Sequence, residues 1–328
     1  MKTQSIIRLA AAAALITSAA ASVTIDYVSV GNAGNAADPN TESLYGAVAY
    51  AYQIGKYEVT NAQYGAFLNA ADPTGANAND IYNSLMGSNL RGGITYNPDA
   101  ASGAKYTIRT SMGDKPVNFV SWYDAARFTN WMHNGQGTGS TETGAYTLTG
   151  NTGIITKNVG ATVYLPTEDE WYKAAYYDPT AGAGSGDNYW LYATRSDTAP
   201  TMASADSAGN ITNPGSNVAN YNNGADWNGR DGNVTTVGSA AANNYFGTFD
   251  QGGNVREWTD AVINGSSRGL RGGSWFANVS FLRSPTSGSN APTFEIDNVG
   301  FRVASVPEPT SMVLMMVASG VMLIRRRR

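Results

Sequence analysis

Leu165-Pro166-Thr167-Glu168-Asp169-Glu170-Trp171 joins a short extended piece, 161–166, to a helix start. Thr167 and Glu170 stand three residues apart. At that spacing a cap hydroxyl and a carboxylate reciprocally satisfy the orphan N–H groups of a first helical turn. Trp171, Ala174 and Ala175 then recur at helical spacing. The same arrangement occurs twice upstream. Thr60 and Gln63 precede Tyr64, Phe67 and Leu68, and Ser121 and Asp124 bracket Trp122 and precede Ala125, Ala126 and Phe128. Each helix follows an extended piece, 52–59 and 116–120 in the two upstream cases. Long Gly-, Asn- and Ser-rich stretches separate them, such as 72–106 and 178–218. Loops of that length inside a compact domain are functional or held by ligands. The pattern predicts an α+β domain with much irregular backbone.

The two ends have a different character. Lys2 and Arg8, an apolar run over 9–16 and the small residues 17–22 follow the order of a secretory signal, with cleavage expected near Ala21. At the other end Pro307-Glu308-Pro309, an apolar stretch to Ile324 and Arg325 to Arg328 follow one another. That stretch is short for a span, which needs roughly 20 residues. The four arginines would hold it on the cytoplasmic side. These three parts in this order resemble the PEP-CTERM sorting signal of Gram-negative bacteria, which implies reading and cutting by an exosortase-type sorting protease. The expected organisation is a signal peptide at 1–21, an extension at 22–47 joining the domain as a strand, a domain at 48–304 and a sorting or anchor segment at 306–328. The protein is expected to be exported to the envelope or beyond, with transient inner-membrane anchoring through 309–324.

Composition narrows what the body can do. The chain carries 21 basic and 25 acidic residues. Without Lys2, Arg8, Glu308 and the four terminal arginines, 15 basic and 24 acidic residues remain, about −9, which argues against a nucleic-acid partner. There is no cysteine, so an exported, loop-rich fold must be stapled by something other than disulfides, and metal ions are the candidate. A single histidine, His133, excludes multi-His zinc and iron sites. His133 falls at an expected helix end, where it favours the helix dipole.

Further segments complete a set that runs in order along the chain. Residues 52–61 read Tyr52-Gln53-Ile54-Gly55-Lys56-Tyr57-Glu58-Val59-Thr60-Asn61, and 116–122 read Pro116-Val117-Asn118-Phe119-Val120-Ser121-Trp122. After 165–171 come Gly253-Asn254-Val255-Arg256-Glu257-Trp258, Arg271-Gly272-Gly273-Ser274-Trp275 and Gly300-Phe301-Arg302. Together they resemble the formylglycine-generating enzyme, or sulfatase-modifying factor, family over about 48–304. The resemblance implies a single α+β domain of C-type-lectin-like fold.

Active members of that family oxidise a substrate cysteine with two copper-binding cysteines shortly after the Gly-Gly-Ser element. Here the matching positions are Ala277 and Leu282. Neither can supply a thiolate, so copper-dependent formylglycine generation is not expected and no catalytic residue is assigned. The resemblance also implies calcium, an ion that takes six to eight oxygen ligands. One set is Asn220 and Asp231 through side chains with the carbonyls of Tyr221 and Asn233. A second is Asn254 and Glu257 through side chains with the carbonyl of Arg256, where the family often carries an aromatic residue. Trp275, Phe276, Asn278 and Arg283 fall in the segment that bears the family's active site and form a candidate ligand cleft. The expected function is a non-catalytic recognition or structural module, with exopolysaccharide or a surface glycan as partner. An enzyme of this fold using other chemistry and a variable ligand-binding protein of C-type-lectin fold are the alternatives.

Overall fold

The computed structural model describes residues 22–149, 154–180 and 187–307. The expected signal peptide (1–21), the anchor stretch 309–324 and nearly all of the expected sorting segment lie outside the described residues. Among the described residues no helix is long and apolar enough to cross a membrane.

All three sequence-derived helix starts form. Helix α1 (Asn61–Ala71) is capped by Thr60 with Gln63 reaching back. The tiny α2 (Leu85–Ser88) has no side-chain cap. Ser121 and Asp124 close the start of α3 (Trp122–His133), and Thr167 and Glu170 that of α4 (Glu168–Tyr176). At the end of α3, His133 Nδ1 lies 3.1 Å from the Thr162 N–H and 2.8 Å from its hydroxyl. The ring therefore fastens the helix end to the next extended segment.

Among the described residues the strands form two four-stranded sheets and two short pairs. In the first sheet β1 (Tyr27–Val30), β2 (Tyr52–Gly55), β12 (Ala304–Ser305) and β5 (Val163–Tyr164) lie side by side, antiparallel throughout. Segment 22–47 thus supplies an edge strand. Ala304 faces Ile54 on one side and Tyr164 on the other, which ties the end of the domain to its beginning. The second sheet has the order β10 (Gly288–Asn290), β9 (Ser267–Arg271), β8 (Arg256–Ile263), β11 (Val299–Gly300), with β11 parallel to β8. Asn264 and Gly265, both at positive φ, turn the β8–β9 hairpin. The pairs are β3 (Ile94–Tyr96) with β4 (Tyr106–Ile108) and β6 (Thr201–Met202) with β7 (Val218–Ala219).

The core is aromatic. Tyr64 and Phe67 of α1 and Phe128 of α3 meet Phe301 and Trp131, with ring centroids 5.2–6.4 Å apart. Each buried indole also finds an acceptor, as an interior N–H must. Trp122 donates to the Thr259 carbonyl at 3.1 Å and Trp258 to that of Val120 at 3.0 Å, clamping the start of α3 to β8.

The stretches read as long loops contain structure that the sequence pattern does not reveal. Residues 72–106 hold α2 and β3, and 178–218 hold β6. They are stapled by polar side chains. Asp72 accepts the Ala76 and Asn77 N–H groups at 3.0 Å each and the Tyr106 hydroxyl. Lys115 Nζ donates to the Ala208 carbonyl and the Thr236 hydroxyl at 2.7 Å each.

Candidate functional site

The segment after Arg271-Gly272-Gly273-Ser274 leaves the second sheet by a turn at positive φ through both glycines. A Cβ on Gly272 would sit 2.7 Å from the Gln251 carbonyl oxygen, so only glycine fits that approach. The chain then runs through Trp275 to Asn278 and into a short 3-10 turn, Val279–Leu282. Opposite it, Asn222 and Asn223, both at positive φ, donate their N–H groups to the Ala277 and Trp275 carbonyls at 2.9 and 2.7 Å. Asparagine tolerates that conformation better than other L-residues.

These two segments enclose a cleft of about 390 Å³. Phe276 and Phe281, 61% and 45% exposed, stand on its rim, and Ala277 and Asn278 line it. Its base is polar. Arg256 from β8, Ser274 and Asn298 line it. Three buried atoms there, Arg256 Nε, Ser274 Oγ and Asn298 Oδ1, have no hydrogen-bond partner among the described residues. Interior polar atoms are nearly always partnered, so three orphans in one cleft ask for an explanation.

Of the other residues expected in this cleft, two lie elsewhere. Trp275 is buried beneath it, with the Arg91 guanidinium 4.0 Å over its ring and its indole N–H donated to the Asp297 carbonyl at 3.2 Å. Arg283 is carried round by the 3-10 turn to bridge with Tyr192, in a separate depression beside Trp190 and Ser284. Proximity in sequence suggested one surface, and the turn divides it. The two positions matching the family cysteines also part. Ala277 lines the cleft, whereas Leu282 is fully buried beside Tyr192 and Ala219.

The lining residues include no carboxylate and no histidine. Ser274 Oγ has no base within hydrogen-bond reach, so nothing activates it as a nucleophile. What the cleft offers is a cation, amides, a hydroxyl and two aromatic faces, which is chemistry for binding.

The first oxygen set comes together in part. Asn220 is 3% exposed, its Nδ2 donates to the Asn233 carbonyl at 2.8 Å, and its Oδ1 is buried with no donor. The Tyr221 carbonyl accepts from Gly224 at 3.1 Å. A carbonyl keeps a second lone pair after one hydrogen bond. Asp231 is exposed, and its carbonyl accepts from Arg91 at 2.9 Å. An oxygen-seeking cation fits the orphaned Asn220 Oδ1. The second set does not converge. Asn254 Oδ1 accepts the Thr235 N–H at 2.9 Å, and its amide donates to Glu58 at 3.2 Å. Both Glu257 oxygens are taken by Arg302, and one also by the Trp171 indole at 2.7 Å. Side chains at 254 and 257 serve different partners, so this set does not fit the ion.

The environment of Glu257 is a charge cluster that sequence reading missed. Glu58 and Asp250 lie close enough to Arg302 and Glu257 to feel both charges. Burial pushes Glu58 well above the ordinary carboxylate range, with Asp250 adding to the rise. Burial also pushes Asp250 up to about 6. Glu58 and Arg302 stand inside the family-like motifs at 52–61 and 300–302, but nothing local in either motif tells that they share one pocket.

The family described as the sulfatase-modifying factor enzyme 1-like domain matches residues 23–306. The chain belongs to this family. Its fold is accordingly the C-type-lectin-like α+β fold of the sulfatase-modifying factor domain. Solved structures similar to it include CarF, at 22% identity and a TM-score of 0.49, covering 87% of this chain and 99% of that one. Treponema denticola variable protein 1 is similar at 18% identity and a TM-score of 0.48, covering 88% and 98%. PvdO from Pseudomonas aeruginosa is similar at 20% identity and a TM-score of 0.42, covering 79% and 82%. A search of curated proteins finds no match.

Proposed function

We propose that this sulfatase-modifying-factor domain is a non-catalytic recognition module that takes its ligand in the cleft around Ala277. One observation carries the reading. Where active relatives place a thiol pair, this chain has Ala277 on an open cleft wall and Leu282 in the core, while Phe276 stands at the rim and the residues of the base carry buried polar atoms without partners among the described residues. A concave site with apolar walls and a few convergent polar groups suits a small ligand or a segment of a polymer.

The reading extends to location and to metal. The basic, apolar and small residues of 1–21 support export, and the ordered parts of 306–328 support sorting by an exosortase-type protease after transient anchoring through 309–324. An exopolysaccharide of the surface matrix is then the partner at hand. Calcium is proposed at the first oxygen set alone, held by Asn220 and Asp231 with the carbonyls of Tyr221 and Asn233. There it would act as a cross-link for a loop region that has no disulfide. A glycan array probed with the purified protein tests the module. Binding that disappears with Phe276→Ala supports it, and a blank array sinks it.

A further inference from the structure

Arg256 is the first residue of β8, and its main-chain N–H donates to the Asn298 carbonyl at 2.9 Å. Its guanidinium reaches toward Gly288 of β10, where a Cβ would come within 3.6 Å of it. No ion pair to Arg256 occurs among the described residues, and its Nε is buried without an acceptor. The contrast with its neighbours is sharp. Arg271 is paired with Glu168, Arg302 with Glu257, Arg268 with Asp260 and Arg91 with Asp297. In a body with 24 acidic residues against 15 basic ones, an acid could easily have been placed beside Arg256. None lines the cleft. Burial lowers the Arg256 pKa with no acid to offset it, yet an arginine stays charged at any physiological pH.

The rest of the cleft says what kind of anion would fit. Ser274 Oγ can donate or accept, and Asn298 Oδ1 can only accept. Asn222, Asn223 and Asn278 add amides at the walls. This mixture matches hydroxyl groups, which donate and accept at once. Phe276 and Phe281 offer flat apolar faces on the rim, against which the C–H face of a sugar ring can lie. A bare inorganic anion would leave those rings, and most of the roughly 390 Å³, unused.

We propose that the cleft recognises a carboxylate-bearing sugar, a uronate unit within an acidic polysaccharide, with the carboxylate on Arg256 and ring hydroxyls on Ser274 and Asn298. The inference rests on the recognition reading above and specifies its ligand. Arg256 is the group that discriminates, because a charge-assisted, two-pronged contact to a carboxylate is stronger and more directional than a neutral hydrogen bond. Asn298 is a positioning partner through its free oxygen.

The test is calorimetric titration of the purified full chain with tetragalacturonate, with cellotetraose as the neutral counterpart and an acetylated tetra-aspartate peptide as the non-sugar polyanion. Tetragalacturonate is expected to bind roughly tenfold or more tighter than cellotetraose, and Arg256→Gln to remove that preference. No hydrogen bond or ion pair joins the Arg256 side chain to another side chain among the described residues, so the variant should keep its melting temperature. Should it fail to fold, salt titration of the unaltered protein serves instead, because the acid preference must weaken as salt rises. Equal, salt-insensitive binding of both sugars overturns the uronate inference and leaves the recognition module standing. Peptide binding as tight as tetragalacturonate overturns it as well. If none of the three binds while the glycan array reports another ligand at Phe276, the uronate inference alone falls. If the array is also blank, both fall.

Discussion

Glu257 of β8 grips Arg302 through both carboxylate oxygens, each 2.6 Å from a guanidinium nitrogen, with both side chains fully buried. Arg302 spends its remaining donors on the Gly55, Phe249 and Lys56 carbonyls at 3.0, 2.9 and 3.4 Å. The pair therefore ties β8 of the second sheet to the end of β2 in the first and to the loop before β8. Removing one partner of a buried pair strands the other charge, a loss of about 3–5 kcal/mol. Glu257→Gln is expected to cost that much in urea denaturation. Because the two residues act as a unit, Glu257→Gln with Arg302→Met should cost clearly less than the two single losses together. Additive losses would show that the pair does not hold the sheets together.

Stability should also depend on pH in an unusual direction. Burial pushes Asp124 up to about 7, Asp250 to about 6 and Asp260 to about 7. In the unfolded chain an aspartate titrates near 3.9. Between these values the folded state holds more protons, so stability is full below about pH 4 for these groups and is lost as pH rises toward 7. Glu142 and Asp178 work the other way. Despite burial, Arg127 holds Glu142 low, and Thr180 and Arg195 hold Asp178 low, so their contribution is lost only under stronger acid. Thermal melts in chelator at constant ionic strength should show a midpoint that falls from pH 4.5 to 7.5. Each tenfold difference in a group's proton affinity between the folded and unfolded chain contributes at most about 1.4 kcal/mol. Asp250→Asn should flatten the curve, and a midpoint that rises over this range would count against these burials.

Much of this was legible in the sequence, and the line between what was and was not is physical. The helix starts at Thr60, Ser121 and Thr167 were readable because a capping box is written within four residues. Strand β12 was not, because Ala304–Ser305 is too short to show a period and gains its identity from Ile54 and Tyr164 far away in the chain. Ser274 and Arg256 sat inside recognisable motifs. That their buried atoms lack partners depends on which residues fail to arrive beside them, and no local pattern encodes that. Arg283 shows the opposite error, since a single 3-10 turn carried a sequence neighbour of Phe276 into another depression.

Calcium should matter at one site. Asn220 Oδ1 is a buried oxygen without a donor among the described residues, and the carbonyls of Tyr221 and Asn233 accompany it in the expected set. A ligand present at a hundred times its dissociation constant stabilises by about 2.7 kcal/mol. Chelator is expected to lower the melting temperature, added calcium to restore it, and Asn220→Ala to abolish the response. An unchanged melting temperature in chelator would remove calcium from the account.

Copper chemistry should be absent and hard to restore. Incubation with copper and a sulfatase-motif peptide is expected to yield no aldehyde by mass spectrometry, because the chain has no cysteine. Reintroducing Ala277→Cys and Leu282→Cys should not rescue it. Position 282 is fully buried beside Tyr192 and Ala219, so its thiol would face an apolar cluster rather than the cleft. The Leu282 change also removes buried methyl groups, a loss below the roughly 2–5 kcal/mol of a leucine-to-alanine change. Appreciable turnover by the unaltered protein would overturn the non-catalytic reading, and turnover by the double variant would overturn the placement of position 282 away from the cleft.

The cleft aromatics separate binding from folding. Phe276 and Phe281 are 61% and 45% exposed, so each could be truncated with little change in buried area. Exposed substitutions usually stay within about 0.5 kcal/mol of the parent. Phe67, fully buried among Tyr64, Phe128 and Trp131, should instead cost about 3–5 kcal/mol when cut to alanine. If the rim rings meet a ligand, Phe276→Ala and Phe281→Ala will lower affinity on the glycan array while urea midpoints stay put. Phe67→Ala will do the reverse, shifting the midpoint while the protein that remains folded binds as before. A rim variant that unfolds as readily as Phe67→Ala would mean that the aromatic edge belongs to the core, and the cleft would lose its walls as a binding surface.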